Sequence, residues 1–203
     1  MATVDDVILK IRTRMSDVLD EAYDDAMLID FINDGQDIYC ITSGVFQVIA
    51  SFTMGGSNDY VEFTYANCGN VNFVHCLAIK HDGIGLAKAD LNEAKDWNAV
   101  AGVPLGWHLF GNSSSDKRAY FDAIPANTTT ITAFIAGKPN DYTVITDTIL
   151  LDDIGISALA AYGEYRCRAH DKEQSMGSLA YAEFSQIRDS VSILTADNVE
   201  DTD

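Results

Sequence analysis

The spacing of apolar residues predicts helices at both ends of the chain. Near the N-terminus, apolar side chains recur every three or four residues over residues 4–19, which is the period of one helical face. The same period returns over residues 26–42 after a short acidic connection, so the first two helices are expected to form an antiparallel hairpin. It recurs over residues 154–165 and 176–191, with a break near His170. The sequence therefore predicts one helix pair at each end.

Between the helical segments, the pattern changes to short runs rich in Val, Ile, Phe, Tyr and Thr, bounded by Gly, Asn, Ser and Asp. The predicted strands are residues 45–52, 60–65, 72–79, 107–110, 118–124 and 129–136. Residues 87–99 are expected to hold one or two helical turns, and residues 143–148 to run in extended form. Several short strands with turns between them are typical of a small antiparallel sandwich or barrel.

This order of elements predicts an α+β fold with a β-domain inserted between two helix pairs. Each helix pair is too thin to bury both of its faces alone, so the two pairs are expected to pack together into one helical bundle. The predicted bundle comprises residues 1–44 and 149–194, and the inserted antiparallel β-domain comprises residues 45–148. Residues 195–203 are predicted to form an acidic, disordered tail.

The charge of the chain limits its function. The sequence has 13 Lys and Arg against 31 Asp and Glu, for a net charge of -18. Such a surface repels nucleic acid phosphate and anionic membrane, which argues against a sequence-reading DNA binder. The simplest interpretation is a solvated surface. The sharper hypothesis is a surface that must not adhere to DNA.

The sequence offers few residues in patterns that carry chemistry. It has no nucleotide-binding glycine loop, no nucleophile motif and no zinc-ligand spacing. His75 and Cys76 are neighbours on a predicted strand, so they should point to opposite faces and not share a metal ion. We therefore expect no metal, no cofactor and no enzymatic activity. The lack of a secretory signal pattern leads us to expect free thiols in a reducing cytoplasm.

Residues at both ends and in the middle of the chain carry a resemblance to a known family. The N-terminal set is Val7-Ile8-x-x-Ile11-Arg12, Leu19-Asp20 and Leu28-x-x-Phe31-Ile32-Asn33. The C-terminal set is Leu159, Tyr162, Tyr165-Arg166, Arg168-Ala169, Asp171, Ala180-Tyr181 and Phe184, and the central set is Trp107 and Phe121-x-x-Ile124-Pro125. Together they resemble the head-to-tail adaptor (connector) proteins of tailed double-stranded DNA bacteriophages. The acidity of the first helix hairpin departs from that pattern.

The resemblance implies a structural virion protein rather than an enzyme. Such adaptors form a ring, typically of twelve copies, beneath the portal, where they extend the DNA channel and provide the tail attachment site. The implied partners are further copies of the chain, the portal protein and a tail or nozzle protein, while DNA passes without specific binding and no membrane is involved. The implied location is the head-tail neck of the virion, after assembly in the host cytoplasm.

Two groups of charged residues are candidates for this role. Arg12, Arg166 and Arg168 form the candidate ring or portal interface, because basic residues in so acidic a chain suit carboxylates on a neighbouring subunit. Pairing within the chain is the alternative. The candidate acidic channel or its flank comprises Asp17, Asp20, Glu21, Asp24 and Asp25.

Alternatives from other classes remain open. The β-domain could be a carbohydrate- or host-binding module that the helices anchor in a particle. An exposed row of Tyr or Trp side chains on one sheet face would favour that function, and buried aromatic residues, with Trp97 and Trp107 as core, would oppose it. Another neck or tail-completion protein is a second alternative, and an enzyme is a third.

Overall fold

The chain divides into two compact units. The computed structural model describes residues 2–16, 22–55, 58–95, 97, 100–111 and 117–200, with side chains described as far as residue 191. The helical unit comprises Met1–Phe46 and Pro139–Asp203, and the β unit comprises Gln47–Lys138. The α+β fold class, with a bundle built from both ends of the chain and a central β-rich domain, is confirmed.

In the part of the chain that the structure describes, four long helices form the helical unit. They are α1 (Val4–Met15), α2 (Asp25–Ser43), α4 (Asp153–His170) and α5 (Gln174–Glu200). Side chains cap the first turns of α2 and α4, because Asp24 accepts a hydrogen bond from the Met27 backbone N–H and Asp152 accepts one from that of Gly155. α4 lies centrally and packs against the other three helices. A run of small buried residues, including Ala158, lets the neighbouring helices approach it closely.

The helix ends differ from the prediction at two places. α1 ends at Met15 rather than near residue 19, because Ser16 takes the left-handed conformation with φ 60°. Val18 and Leu19 lie outside the described residues. α5 continues to Glu200, where the sequence analysis expected disorder from residue 195, because no Gly or Pro interrupts the helical backbone there.

The segment before α4 also differs from the prediction. Residues 139–148 belong to the helical unit, although the sequence analysis assigned them to the β-domain. The expected extended run at 143–148 is a turn instead, and only Thr148 forms a single bridge, with Thr3. The Asp147 carboxylate causes the turn by accepting hydrogen bonds from the backbone N–H groups of Thr143 and Val144.

Among its described residues, the β unit contains ten strands and one helical turn. They are β1 (Gln47–Met54), β2 (Tyr60–Glu62), β3 (Asn72–His81), β4 (Ile84–Gly85), β5 (Ala87–Lys88), α3 (Leu91–Ala94), β6 (Val100–Ala101), β7 (Gly106–Phe110), β8 (Arg118–Phe121), β9 (Ala123–Ile124) and β10 (Thr129–Lys138). One sheet has the order β1-β10-β3-β4 and a second has the order β2-β8-β7-β5, while β6 and β9 form a separate pair. The long pairings are antiparallel, whereas the two-residue pairs β5–β7 and β6–β9 are parallel.

Aromatic side chains from the two four-stranded sheets pack against one another. The ring centroid of Phe63, which follows β2, lies 5.3 Å from that of Phe52 in β1 and 4.5 Å from that of Phe73 in β3. This face-to-face packing is that of a small sandwich.

Two register shifts in the β3–β10 pairing interrupt the strict alternation of side chains along β3. His75 is nevertheless exposed while Cys76 is buried, so the two side chains lie on opposite faces.

Candidate functional site

The net negative charge of the chain lies almost entirely in the helical unit. That unit holds 7 Lys and Arg against 23 Asp and Glu, for a net charge of -16. The β unit holds 6 basic and 8 acidic residues, for a net charge of -2. A functional site that depends on charge should therefore be sought on the helices.

An arginine–glutamate cluster joins α1, α4 and α5. Arg14 of α1 donates hydrogen bonds to Glu164 of α4 at 3.3 Å and to both carboxylate oxygens of Glu183 of α5, at 3.1 and 2.8 Å. Arg168 of α4 donates to Glu164 at 2.8 Å and to Glu173 at 2.7 Å. Glu164 thus lies between two guanidinium groups, and the cluster fastens the end of α1 to the α4–α5 hairpin.

The cluster is shielded from solvent on its α4 side. The side chains of Glu164 and Arg168 are each 13% exposed, so their interaction is screened less than that of an ordinary surface pair. Hydrogen bonding to Glu183 is the main cause that raises the pKa of Arg14, and hydrogen bonding to Glu164 does the same for the pKa of Arg168. Both arginines stay charged, and their role is to hold helices together.

Arg166, a predicted interface residue, connects α4 to α2. Its guanidinium donates a hydrogen bond to the carboxylate of Asp34. The same group lies over the ring of Phe31, 4.7 Å from the centroid, and donates to the Tyr162 hydroxyl at 3.3 Å. Desolvation, the largest single contribution, lowers the pKa of Arg166. Hydrogen bonds and charge interactions with Tyr162 and Asp34 together outweigh it, so the pKa is raised overall.

Arg12, the second predicted interface residue, joins α1 to the start of α2. Its side chain is 5% exposed and donates a hydrogen bond to Asp25 at 2.8 Å. All three predicted interface arginines therefore pair within the chain, as the alternative interpretation proposed. Their role at an interface with a neighbouring subunit stays a prediction.

The candidate channel residues fall into two groups. Asp24 caps α2 and Asp25 pairs with Arg12, so both carboxylates have structural roles within the chain. Asp17, Asp20 and Glu21 lie outside the described residues. Their predicted place in or beside a channel stays a prediction.

The residues predicted from the sequence did not include Arg14 and Glu164, two members of the cluster that each contact two charged partners. The four-residue spacing of Glu164 and Arg168 is a signal for a pair on one helix face. The contact of Arg14 with Glu164 spans 150 residues in sequence and only appears once α1 packs on α4.

A second polar contact joins Tyr23, just before α2, to the end of α4. The Tyr23 hydroxyl donates a hydrogen bond to the carboxylate of Asp171 and lies 3.3 Å from the backbone carbonyl of Cys167. The bond from Tyr23 is the main cause that lowers the pKa of Asp171 below its usual value of 3.8. Protonation of Asp171 should therefore weaken this contact.

Replacing Tyr23 with phenylalanine should raise the pKa of Asp171 towards its usual value. A lowered folded-state pKa stabilises the fold above the unfolded-state value, and that stabilisation is lost as the pH falls through the folded-state value. The Tyr23→Phe variant should thus be about 1 kcal/mol less stable than the parent chain near neutral pH. The difference in stability between this variant and the parent chain should shrink below about pH 4. What remains there is the contribution of the Tyr23 hydroxyl's contact with the Cys167 carbonyl.

Denaturant titrations at several pH values, with carbon-detected NMR of Asp171, measure both effects. Tyr181→Phe is the control, because the Tyr181 hydroxyl makes no hydrogen bond with any described residue. A stability difference that does not change between pH 3 and pH 7 would contradict the assignment to Asp171.

An open groove lies between α1 and α4. It has a volume of about 410 Å³ and is lined by Leu9, Lys10, Thr13, Arg14, Ser157 and Ala160. The side chain of Leu9 is 56% exposed at this groove. Ile154, 48% exposed, precedes Ser157 by three residues and so lies on the same face of α4. The helical unit thus presents an apolar groove with basic residues at its rim.

The family of the protein is indicated by the whole chain and not by this groove. None of the described helices combines the length and the apolar character that a membrane span needs. A comparison with curated protein sequences finds no match. A model of the SU10 adaptor protein family, in contrast, matches residues 2–202. Because this match spans nearly the whole chain, the protein belongs to the SU10 adaptor protein family, which confirms the resemblance to phage head-to-tail adaptors.

Proposed function

We propose that the chain is a structural head-to-tail adaptor of a tailed phage. In this proposal it forms a ring of twelve copies beneath the portal, extends the DNA channel and provides the attachment site for a tail or nozzle protein. Its role is architectural and not catalytic, and its place is the neck of the virion after assembly in the host cytoplasm. The observation that carries the proposal is the family match over residues 2–202.

The distribution of charge supports a channel role. The helical unit has a net charge of -16, whereas the β unit has only -2. A wall that carries negative charge repels phosphate, so DNA can pass without binding tightly. We therefore propose that the helical unit, rather than the β unit, faces the DNA.

The groove between α1 and α4 supports assembly with a second copy. A closed ring needs two different faces of each subunit that fit one another. The exposed apolar side chains of Leu9 and Ile154 would be removed from water by a neighbour. Lys10 lines the same groove, and the acidic helical unit of the next copy offers carboxylates to it.

Electron microscopy of the purified chain, alone and mixed with the portal protein from the same genome, tests the proposal. We expect a ring with a central channel, either free or capping the portal, and its images give the copy number. A chain that stays monomeric and does not bind the portal would overturn the adaptor function.

Placing a charge in the groove should prevent assembly. The Leu9→Asp and Ile154→Asp variants should fold, because both side chains are half exposed, but they should not join the ring. Taking a carboxylate out of water into an apolar contact costs several kcal/mol of desolvation. Ile84→Asp, at an exposed apolar position of the β unit, is the matched control and should assemble like the parent chain.

The same micrographs and a sedimentation assay measure the outcome. Rings of unchanged number and yield from both variants would show that the groove is not the contact, even where the parent chain forms a ring. A parent chain that forms no ring would contradict the adaptor function. Variants that assemble like the parent chain would contradict only the proposed contact at the groove.

A further inference from the structure

Six side chains form two rows on the outward face of the sheet that contains β2, β8 and β7. Their inward neighbours Val61, Ala119, Phe121 and Trp107 are buried. The register places Tyr60 opposite Tyr120 and Tyr120 opposite His108, and in the next row Glu62 opposite Arg118 and Arg118 opposite Phe110. We name these six residues the aromatic grid: Tyr60, Tyr120, His108, Glu62, Arg118 and Phe110.

The four rings of the aromatic grid contact one another in a continuous series. Ring centroids are 5.4 Å apart for Tyr60 and Tyr120, 5.4 Å for Tyr120 and Phe110, and 4.6 Å for Phe110 and His108. The rings are nevertheless not buried, and Phe110 is 38% exposed. Mutual packing holds the side chains in place, so a ligand would meet a preformed surface with little loss of conformational entropy.

Polar groups of the aromatic grid point to hydrogen bonding at its edges. Arg118 lies over the Tyr60 ring, 4.8 Å from the centroid, and donates to Glu62 at 3.0 Å. His108 Nδ1 lies 2.8 Å from the Ala89 carbonyl, which can only accept, so Nδ1 donates and Nε2 of the neutral ring is left as an acceptor. The hydroxyls of Tyr60 and Tyr120 form no hydrogen bond with any described residue.

A polar cleft adjoins the aromatic grid at the edge of the sandwich. It lies between β1 and β2, which are edge strands of their sheets, and has a volume of about 400 Å³. Its polar lining residues are Ser51, Thr53, Asn58, Tyr60, Glu62 and Asn67. Tyr60 and Glu62 belong both to the cleft and to the aromatic grid, so the two features form one continuous surface.

The near-neutral charge of this surface favours some classes of ligand over others. Arg118 and Glu62 neutralise each other, and the β unit as a whole has a net charge of only -2. A polyanion such as nucleic acid needs a basic surface to bind. A neutral ligand with many hydroxyl groups instead suits partly exposed rings beside hydroxyl, amide and carboxylate groups.

We propose that the aromatic grid and the polar cleft form a binding site for a neutral oligosaccharide. Apolar faces of sugar rings pack on Tyr60 and Tyr120, while sugar hydroxyls exchange hydrogen bonds with Glu62, Asn58 and Asn67. The site lies within the β unit and does not depend on ring assembly or on the helical unit. The function of the site is thus additional to the adaptor role.

Titration of the full chain with neutral oligosaccharides tests the site. The probes are hexaoses of glucose, galactose and mannose in several linkages, compared with acidic oligosaccharides of the same length, and binding is measured by NMR and calorimetry. At least one neutral hexaose should bind and shift the resonances of the aromatic grid. The Tyr60→Ala and Tyr120→Ala variants should bind it about tenfold more weakly or worse.

Two further variants separate a lost site from a lost fold. Tyr60→Phe and Tyr120→Phe keep the rings, so they should fold like the parent chain and lose only the part of the affinity due to the hydroxyls. Tyr181→Ala, an exposed tyrosine of the helical unit, is the matched control and should bind unchanged. Binding that survives both ring deletions, binding of acidic probes alone, or no binding of any neutral hexaose would overturn the proposal. Coverage of this face by a second protein in the assembled ring would assign it to a protein interface instead and would also overturn it.

Discussion

Replacing Gly163 with valine should lower the free energy of unfolding by about 3 kcal/mol, at the upper end of the cost of overpacking a core. Gly163 lies on α4 where the helix meets α1. A Cβ atom at this position would lie 2.3 Å from Cδ1 and 2.8 Å from Cγ1 of Ile11, which is fully buried. The added side chain must therefore push α1 away from α4, and urea unfolding followed by circular dichroism measures the loss.

A compensating substitution tests whether Ile11 is the cause. Ile11→Ala removes the three side-chain carbons closest to the new atoms, and Gly163→Val adds three, so the double variant conserves volume. It should be more stable than the sum of the single effects predicts, by about 1–3 kcal/mol. Gly177→Ala on α5 is the matched control, because its nearest neighbour would be 3.6 Å away. That change should be neutral or stabilising by up to about 1 kcal/mol, as alanine favours helix. Strict additivity of Ile11→Ala and Gly163→Val would contradict the packing argument.

Replacing Glu164 with alanine should destabilise the chain by about 2–3 kcal/mol, the second largest effect. The substitution leaves Arg14 and Arg168 without the carboxylate that lies between them. Glu164 is 13% exposed, so water replaces the lost hydrogen bonds only in part. Since the cluster fastens α1 to α4, the N-terminal helix should also exchange its amide hydrogens faster than before.

Glu183→Ala is the matched control within the same cluster. Glu183 also accepts hydrogen bonds from Arg14, but its side chain is 46% exposed and solvent can take its place. Its loss should cost about 1 kcal/mol or less, and 0.5 M salt should weaken its contribution more than that of Glu164. Equal losses for the two glutamates, measured in the same denaturant titration, would show that burial does not set the strength of this cluster.

These two effects matter for the adaptor role because both keep α1 on the bundle. The groove proposed to receive a second copy has one wall from α1, with Leu9 and Arg14, and another from α4, with Ser157 and Ala160. A variant that loosens α1 should therefore weaken assembly even when its side chains do not touch a neighbour. Stability and ring formation need to be measured on the same protein samples.

The sequence by itself determined the order and type of the main elements. Apolar spacing predicted α2 almost to its ends, as residues 26–42 against Asp25–Ser43, because a regular amphipathic period and an Asp cap are local signals. The strand at residues 129–136 was predicted from its β-propensity and length, which are also local signals, and it extends to Lys138 in the structure. The family resemblance rested on residues of the terminal helices and on a central set that includes Trp107, and the family match covers residues 2–202.

The tertiary structure alone decided which residues meet. The cluster of Arg14 with Glu164 and the aromatic grid both join residues far apart in sequence, and their geometry depends on helix packing or on strand register. The two-residue strands β4, β5, β6 and β9 carry too few side chains to show a period, so the pattern could not reveal them separately. Local spacing specifies a helix or a strand because backbone geometry repeats every few residues, whereas contacts between elements depend on how the folded chain brings distant residues together.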